Sequence, residues 1–227
     1  MRDLINTTEM YLRTVYDLGE DRVPARQIRL IERLRQSSAT VNQTVARLKR
    51  DGLVTLADGH RVELTGAGRA RAVEVTRKHR LAERLLTDIL DMPAVLVHDE
   101  ARRLQHVMSE AVERRIICIL DGPTTSPWGN PIPGLDHFGI EVEPDSATMQ
   151  LADIPVSGMP VTSTVRSISE HAQADSRLIT RFITAGVIPG GRVTITACGR
   201  SYLVRGLDTI ELPEKLAHVI HFDDVLT

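Results

Sequence analysis

Residues 40–65 read TVNQTVARLKRDGLVTLADGHRVELT, and this stretch decides the fold of the N-terminal part of the chain. Apolar residues recur at helical spacing from Val41 to Leu48, and Asp51-Gly52 ends the pattern. Two short β-type runs then flank Asp58-Gly59, a pair typical of a hairpin turn. The stretch therefore predicts a helix followed by a β-hairpin.

Two further helices are predicted on the N-terminal side of this stretch. One covers residues 3–18, with Thr7 and Thr8 as candidate N-caps, and the other lies within residues 24–36. Helix, turn, helix and hairpin in this order predict a winged helix-turn-helix whose second helix enters the major groove. The alternative is a small helical domain with a solvated polar face.

The charge distribution supports nucleic-acid binding by this part of the chain. Residues 1–73 carry 13 lysines and arginines against 9 aspartates and glutamates, a net charge of +4, whereas residues 74–147 have a net charge of −5. The whole chain has a net charge of only −2, so the basic charge is concentrated on the predicted DNA-binding module.

Composition favours a folded intracellular protein. With 227 residues, of which 42% are hydrophobic and 26% charged, the chain is long enough to bury more than one core. The two cysteines, Cys118 and Cys198, support no disulfide framework and fit a reducing compartment. No apolar run approaches the roughly 20 residues of a membrane span. We expect a cytoplasmic protein with no membrane partner.

The rest of the chain changes from helical to β-rich patterns. Helices are predicted over 68–90 and 94–120, and their apolar faces suit either dimerisation or the core of a monomer. The proline-rich SPWGNPIPG (126–134) marks a loop, and short β-type runs follow from residue 148, as in a small SH3-like β-barrel. The prediction is an α+β fold with a winged-helix domain (1–73), a helical domain (74–140), a linker (141–147) and an SH3-like domain (148–227).

Histidines and a glutamate on the central helices suggest a metal site. His79 and Glu83 are four residues apart and share a helix face, and His98 belongs to the next helix. Two imidazoles and a carboxylate suit Fe(II), Mn(II), Co(II), Ni(II) or Zn(II), although a surface pair is the alternative. In HDEARRLQHVMS (98–109), a continuous helix would also place Arg102 and His106 on the face of His98.

Several collinear motifs resemble one family. They are TTEMYLRT (7–14), QTVARLKRDGLV (43–54), RKHRLAERLLTDI (77–89), VHDEA (97–101), HVMSE (106–110) and GNPIPGLD (129–136). With them the chain resembles the iron-dependent repressors of the diphtheria toxin repressor family along its whole length. The resemblance implies a homodimeric DNA-binding repressor that is not an enzyme, and it favours Fe(II) as the metal.

The resemblance also implies two metal sites, which this sequence treats differently. The ancillary set is complete and consists of His79, Glu83, His98, Glu170 and Gln173. In the primary set Met10 and His106 match, but Arg102 stands where the family has a cysteine and Gln105 where it has a glutamate. A guanidinium in place of a thiolate should weaken metal binding there.

Three hypotheses address this altered primary set. In the first, the Arg102 guanidinium acts as a built-in cation, paired with Glu9 or with backbone carbonyls of the first helix. In the second, metal binding at the ancillary set regulates DNA binding. In the third, the primary site binds no metal and another signal regulates the protein. A fourth reading gives Arg102 no role.

The resemblance implies an AT-rich palindromic operator of double-stranded DNA. Carried over by position, Gln43 reads a base, Ser37 and Ala39 lie near thymine methyl groups, and four residues lie near the backbone: Thr40, Asn42, Arg47 and Arg50. Ala39 replaces a usual proline and Asn42 a usual serine, so we expect the operator to differ.

The sequence therefore predicts a dimeric, metal-responsive repressor with an altered primary site. A metal-independent or differently triggered paralogue is the alternative within the family. A small metalloenzyme using His79, Glu83 and His98 is a rival from another class, although no HExxH motif is present. A protein that dimerises with a metal-responsive paralogue and modulates it is the third possibility.

Overall fold

The computed structural model describes residues 6–142, 148–154 and 159–223. It confirms the predicted α+β class: helices precede a C-terminal antiparallel sheet. No helix in these described ranges is long and apolar enough to cross a membrane.

The N-terminal elements follow the predicted winged helix-turn-helix order. They are α1 (Thr7–Glu20), α2 (Gln27–Leu34), α3 (Ser38–Arg50), β1 (Val54–Ala57) and β2 (Arg61–Leu64). The two strands pair antiparallel around the predicted hairpin turn. Leu12, Leu30 and Val41, one from each helix, are completely buried in the core that joins these elements.

The cap of α1 differs from the prediction. Asn6, and neither Thr7 nor Thr8, is the N-cap, because its side chain accepts a hydrogen bond from the backbone N–H of Glu9. Residues 3–5 of the predicted helix lie outside the described residues.

The central region contains one more helix than the sequence predicted. Helix α4 (Gly66–Arg84) continues into a π-helical turn (Leu85–Ile89), and the expected single helix over 94–120 is two helices, α5 (Ala94–Leu104) and α6 (Glu110–Ile119). That prediction was wrong, and with it the expectation that His106 extends the helical face of His98.

Local features at the start of α6 and a tertiary contact of His106 explain the break between α5 and α6. Ser109 has extended backbone angles (φ −83°, ψ 160°) and begins a new helix, and α6 has two glutamates in its first turn, where the helix dipole favours negative charge. The side chain of His106 is also only 4% exposed and pairs with Glu9 of α1. Tertiary contacts therefore override the helical periodicity of this segment.

The C-terminal part is a six-stranded sheet with two helices. Its elements are β3 (Met149–Gln150), β4 (Val161–Ile168), α7 (Glu170–Gln173), α8 (Ser176–Thr184), β5 (Arg192–Cys198), β6 (Ser201–Arg205), β7 (Thr209–Pro213) and β8 (Ile220–Phe222). The strand order is β3-β8-β4-β5-β6-β7. The β-type runs were predicted, but α8 was not, although its Leu178, Ile179 and Phe182 have helical spacing and are buried in the core.

The chain forms two compact units. The first comprises Met1–Ala82, Glu100–Gly122 and Ile132–Ile140, and the second comprises Glu83–Asp99, Pro123–Pro131 and Glu141–Thr227. The three-domain division drawn from the sequence stays a prediction. Residues 143–147 of the expected linker lie outside the described residues.

Two glycines in the first turn of α4 allow a matched test of how this helix packs. A Cβ at Gly68 would lie 1.9 Å from the backbone oxygen of Leu53, whereas a Cβ at Gly66 would meet nothing within 4 Å. We expect Gly68→Ala to lower the free energy of unfolding by about 1–3 kcal/mol, because helix and hairpin backbone must separate.

Gly66→Ala is the control and should leave stability unchanged or raise it by up to about 1 kcal/mol, since alanine favours helix. Chemical denaturation followed by circular dichroism measures both variants. Equal midpoints for the two variants would contradict this packing.

Candidate metal centre and nucleic-acid interface

Helix α4 presents two completely buried polar side chains on one face. His79 and Glu83 are each 0% exposed and lie one turn apart on this unbroken helix. Buried ionisable groups require a partner or a metal, so their burial excludes the surface pair considered from the sequence.

Glu83 belongs to a tight cluster with His98 of α5 and Glu170 of α7. The Nδ1 atom of His98 lies 3.3 Å from an oxygen of Glu83 and 3.4 Å from an oxygen of Glu170. The side chains of His98, Glu83 and Glu170 are only 7%, 0% and 6% exposed, and their potential ligand atoms lie within 4.8 Å of one another. Nitrogen and oxygen donors this close together can share one divalent cation.

The two carboxylates change the protonation of His98. Burial alone would lower its pKa, but hydrogen bonds and charge interactions with Glu170 and Glu83 outweigh burial and raise the pKa from 6.5 to about 9. His98 is therefore an imidazolium at neutral pH, and its positive charge lies next to both carboxylates.

Gln173 adds an unsatisfied acceptor close to Glu170 in sequence. Its side-chain nitrogen donates to the backbone oxygen of Ile168 at 2.7 Å, while its Oε1 is buried and has no hydrogen-bond partner among the described residues. Gln173 follows Glu170 by three residues on α7. A buried amide oxygen left without a donor is a suitable additional ligand, so the donor set fits a transition-metal ion.

The residues of the altered primary set gather at the end of α5. Gln105 Nε2 lies 3.6 Å from the sulfur of Met10 and 3.0 Å from Nε2 of His106. His106 Nδ1 lies 2.5 Å from one carboxylate oxygen of Glu9, whose other oxygen accepts from Asn6 at 2.8 Å. Hydrogen bonds between side chains thus occupy Met10, Gln105 and His106, which the sequence comparison assigned to the primary set.

Arg13, which the sequence reading missed, also places a guanidinium against this cluster. Arg13 is 4% exposed, and its Nη1 donates to Gln105 Oε1 at 2.8 Å and lies 3.0 Å from Nδ1 of His79. Arg102 is half-buried on α5. Helical spacing could have found Arg13, because it follows Glu9 by four residues and Met10 by three on α1.

The predicted DNA-binding face of α3 is solvent-exposed. Thr44, Val45 and Leu48 are among the residues that α3 turns inward. The exposed residues include all those assigned to DNA contacts, namely Ser37, Ala39, Thr40, Asn42, Gln43, Arg47 and Arg50. Ser37 is also the N-cap of α3 and accepts from the backbone N–H of Thr40 at 3.2 Å.

An exposed polar helix in a helix-turn-helix, followed by a hairpin, defines a winged-helix DNA-binding protein, and the buried cluster adds a site suited to metal. Two family models match the chain: "Iron dependent repressor, N-terminal DNA binding domain" over residues 3–60 and "Iron dependent repressor, metal binding and dimerisation domain" over residues 65–134. The chain belongs to the iron dependent repressor family.

Individual relatives agree with this assignment along the full length. The chain is 48% identical to the iron-dependent repressor IdeR of Mycobacterium tuberculosis (strain ATCC 25618 / H37Rv), covering 99% of this chain and 100% of the relative. It is 42% identical to the diphtheria toxin repressor of Corynebacterium diphtheriae, with the same coverage. A solved manganese-dependent transcriptional repressor in complex with manganese has a TM-score of 0.77 at 28% identity, covering 95% of this chain and 99% of that one.

The raised pKa of His98 predicts that metal uptake releases a proton. A metal needs the lone pair that the proton occupies, so at pH 7 binding should release about one proton from His98. Zinc affinity should rise about tenfold per pH unit and level off near pH 9, the pKa of this group. Calorimetric titration with Zn(II) in two buffers of different ionisation enthalpy counts the protons.

The same shift affects the stability of the metal-free protein. Because the folded pKa of His98 lies above its ordinary value of 6.5, the contribution of this group to folding stability is complete below pH 6.5 and is lost as the pH rises through about 9.

The calorimetric proton count also tests the protonation of His98 itself. Zinc uptake at pH 7 with no proton released would contradict the assigned protonation of His98.

Proposed function

We propose that this protein is a homodimeric transcriptional repressor that binds operator DNA through α3 and responds to a divalent metal held by Glu83, His98 and Glu170, with His79 and Gln173 as further ligands. The buried cluster around His98 is the observation that carries this proposal. A metal bound there supplies positive charge between two buried carboxylates in place of the imidazolium proton.

Family membership supports the DNA partner, the homodimer and the metal. The matching family descriptions name a DNA-binding domain and a metal-binding and dimerisation domain. Fe(II) fits the iron-dependent relatives, and Mn(II) fits the manganese-dependent structure with the same fold. The divergent residues Ala39 and Asn42 are exposed on α3, which supports an operator different from that of the relatives. Operator DNA lies in the cytoplasm of a bacterial cell, and we place the protein there.

The cluster around Gln105 supports a second candidate function, metal-independent repression. Hydrogen bonds from Arg13 to Gln105 and from His106 to Glu9 join α1 to the turn after α5 without any metal. A protein with this connection already in place binds operator whether or not metal is supplied. Under this candidate function the protein still binds operator DNA, but metal does not regulate the binding.

A DNA-binding assay with matched glutamate variants separates the two candidates. Fluorescence anisotropy on a labelled AT-rich palindromic duplex is measured at fixed salt, with chelator and then with Fe(II) or Co(II). Metal should raise the DNA affinity of the wild type, and Glu83→Gln should need at least about tenfold more metal, because one anionic ligand is lost.

Glu74→Gln is the control, since Glu74 is an exposed residue of the same helix and should leave the metal response intact. Tight binding under chelator, unchanged by metal, would replace the metal-responsive proposal with metal-independent repression. A wild type that binds no DNA at low salt would contradict both candidates.

The assignment of contacts on α3 gives a second test. Gln43→Ala should change the order of preference among duplexes that differ by single base pairs, because a base contact is worth about 1–3 kcal/mol. Arg47→Ala should weaken binding to all of them about equally and reduce the slope of log affinity against log salt by about 1. Competition anisotropy over a set of duplexes measures both effects, and uniform weakening by Gln43→Ala would show that Gln43 reads no base.

A further inference from the structure

Arg13 contacts both His79 and Gln105. Its Nη1 lies 3.0 Å from Nδ1 of His79 and donates to Oε1 of Gln105 at 2.8 Å. Its Nε lies 3.7 Å from an oxygen of Asp17. One guanidinium thus contacts a proposed metal ligand on α4 and a residue that departs from the family pattern.

The hydrogen bond fixes the tautomer of His79. A guanidinium has only donors, so Nδ1 of His79 must be the acceptor, and the neutral ring carries its proton on Nε2. Neither ring nitrogen is then available to a metal: the lone pair of Nδ1 is directed at Arg13, and Nε2 is protonated.

Metal binding by His79 is therefore incompatible with this hydrogen bond at either nitrogen. A metal on Nδ1 takes the lone pair that Arg13 uses. A metal on Nε2 displaces the ring proton to Nδ1, where a donor then faces the donor of Arg13. In both cases the contact between Arg13 and His79 must break.

We propose that Arg13 competes with metal for His79 and reports metal occupancy to the DNA-binding elements through α1. Arg13 lies two residues after Tyr11, whose hydroxyl donates to Gln36 at 2.5 Å. Gln36 immediately precedes Ser37, the N-cap of α3. Displacement of Arg13 acts on the helix that also anchors the start of the recognition helix.

Gln105 determines how strongly Arg13 is held at this position. Its neutral amide oxygen accepts from Arg13, whereas a carboxylate at this position would hold the guanidinium with a full negative charge. The amide leaves Arg13 more easily displaced when metal removes its contact with His79. The inference rests on the proposed metal site but concerns residues of α1 that this site does not include.

Nuclear magnetic resonance of the full-length protein with Zn(II) tests the inference directly. Without metal, the ¹⁵N signals of His79 should show the tautomer protonated on Nε2, and saturation with Zn(II) should shift the Nε–Hε signal of Arg13 and the side-chain amide signals of Gln105. Arg33 is the internal control, because it is also largely buried and pairs with Asp21 at 2.7 Å; its Nε–Hε signal should not move.

Calorimetry supplies the second readout. Arg13→Met should bind Zn(II) at least about tenfold more tightly than the wild type, because the competing donor and its charge are removed. Arg33→Met should stay within about twofold of the wild type. If Arg13→Met fails to fold, the resonance experiment on the wild type decides alone.

The possible failures are distinct. A protein that binds no zinc would overturn the proposed metal site together with this inference. Zinc binding that leaves the Arg13 signal unmoved, or a metal-free His79 protonated on Nδ1, would overturn only the role of Arg13.

Discussion

Glu83 and Glu170 are both buried, and both lie against the same ring nitrogen of His98. Two carboxylates removed from water are costly unless they are paired. In the metal-free protein the imidazolium of His98 supplies the positive charge, with contacts of 3.3 and 3.4 Å and a pKa raised to about 9. A divalent metal would supply a larger positive charge at this position, and the buried oxygen of Gln173, which accepts from no donor in the described parts of the chain, would be a further ligand. The metal binding that we propose for this cluster therefore follows from the burial of its carboxylates.

Helix α1 contacts both the altered primary set and the segment that leads into α3. Its Glu9, Met10 and Arg13 contact His106 and Gln105, and its Tyr11 contacts the residue before the N-cap of α3. The resemblance implies that other members of the family hold a metal at the positions of Arg102 and Gln105. In this chain, hydrogen bonds between side chains join α1 to the turn after α5. The metal dependence that we propose rests instead on the cluster around His98.

Periodicity and turn chemistry were enough to predict the winged helix-turn-helix, because α3 and the hairpin have strong local signals. They failed between α5 and α6, where the contacts of His106 with α1 end a helix whose local pattern continues. They also failed at α8, whose short apolar spacing resembles that of the strands around it. For the site, residue patterns alone suggested His79, Glu83 and His98 as metal ligands, and the resemblance added Glu170 and Gln173. Arg13 shares a helical face with Glu9 and Met10, but its contacts with His79 and Gln105, which are 66 and 92 residues away in sequence, could not be predicted from local spacing.

The position of the bound metal tests the central claim most directly. A crystal of the protein grown with Co(II), and measured at the cobalt absorption edge, gives an anomalous difference map in which each cobalt ion is a peak. We expect one peak per chain, among the side chains of Glu83, His98 and Glu170, and none between Met10 and His106. A peak between Met10 and His106 with none at His98 would show that the altered primary set still holds the regulatory metal, and it would contradict the assignment of metal binding made here.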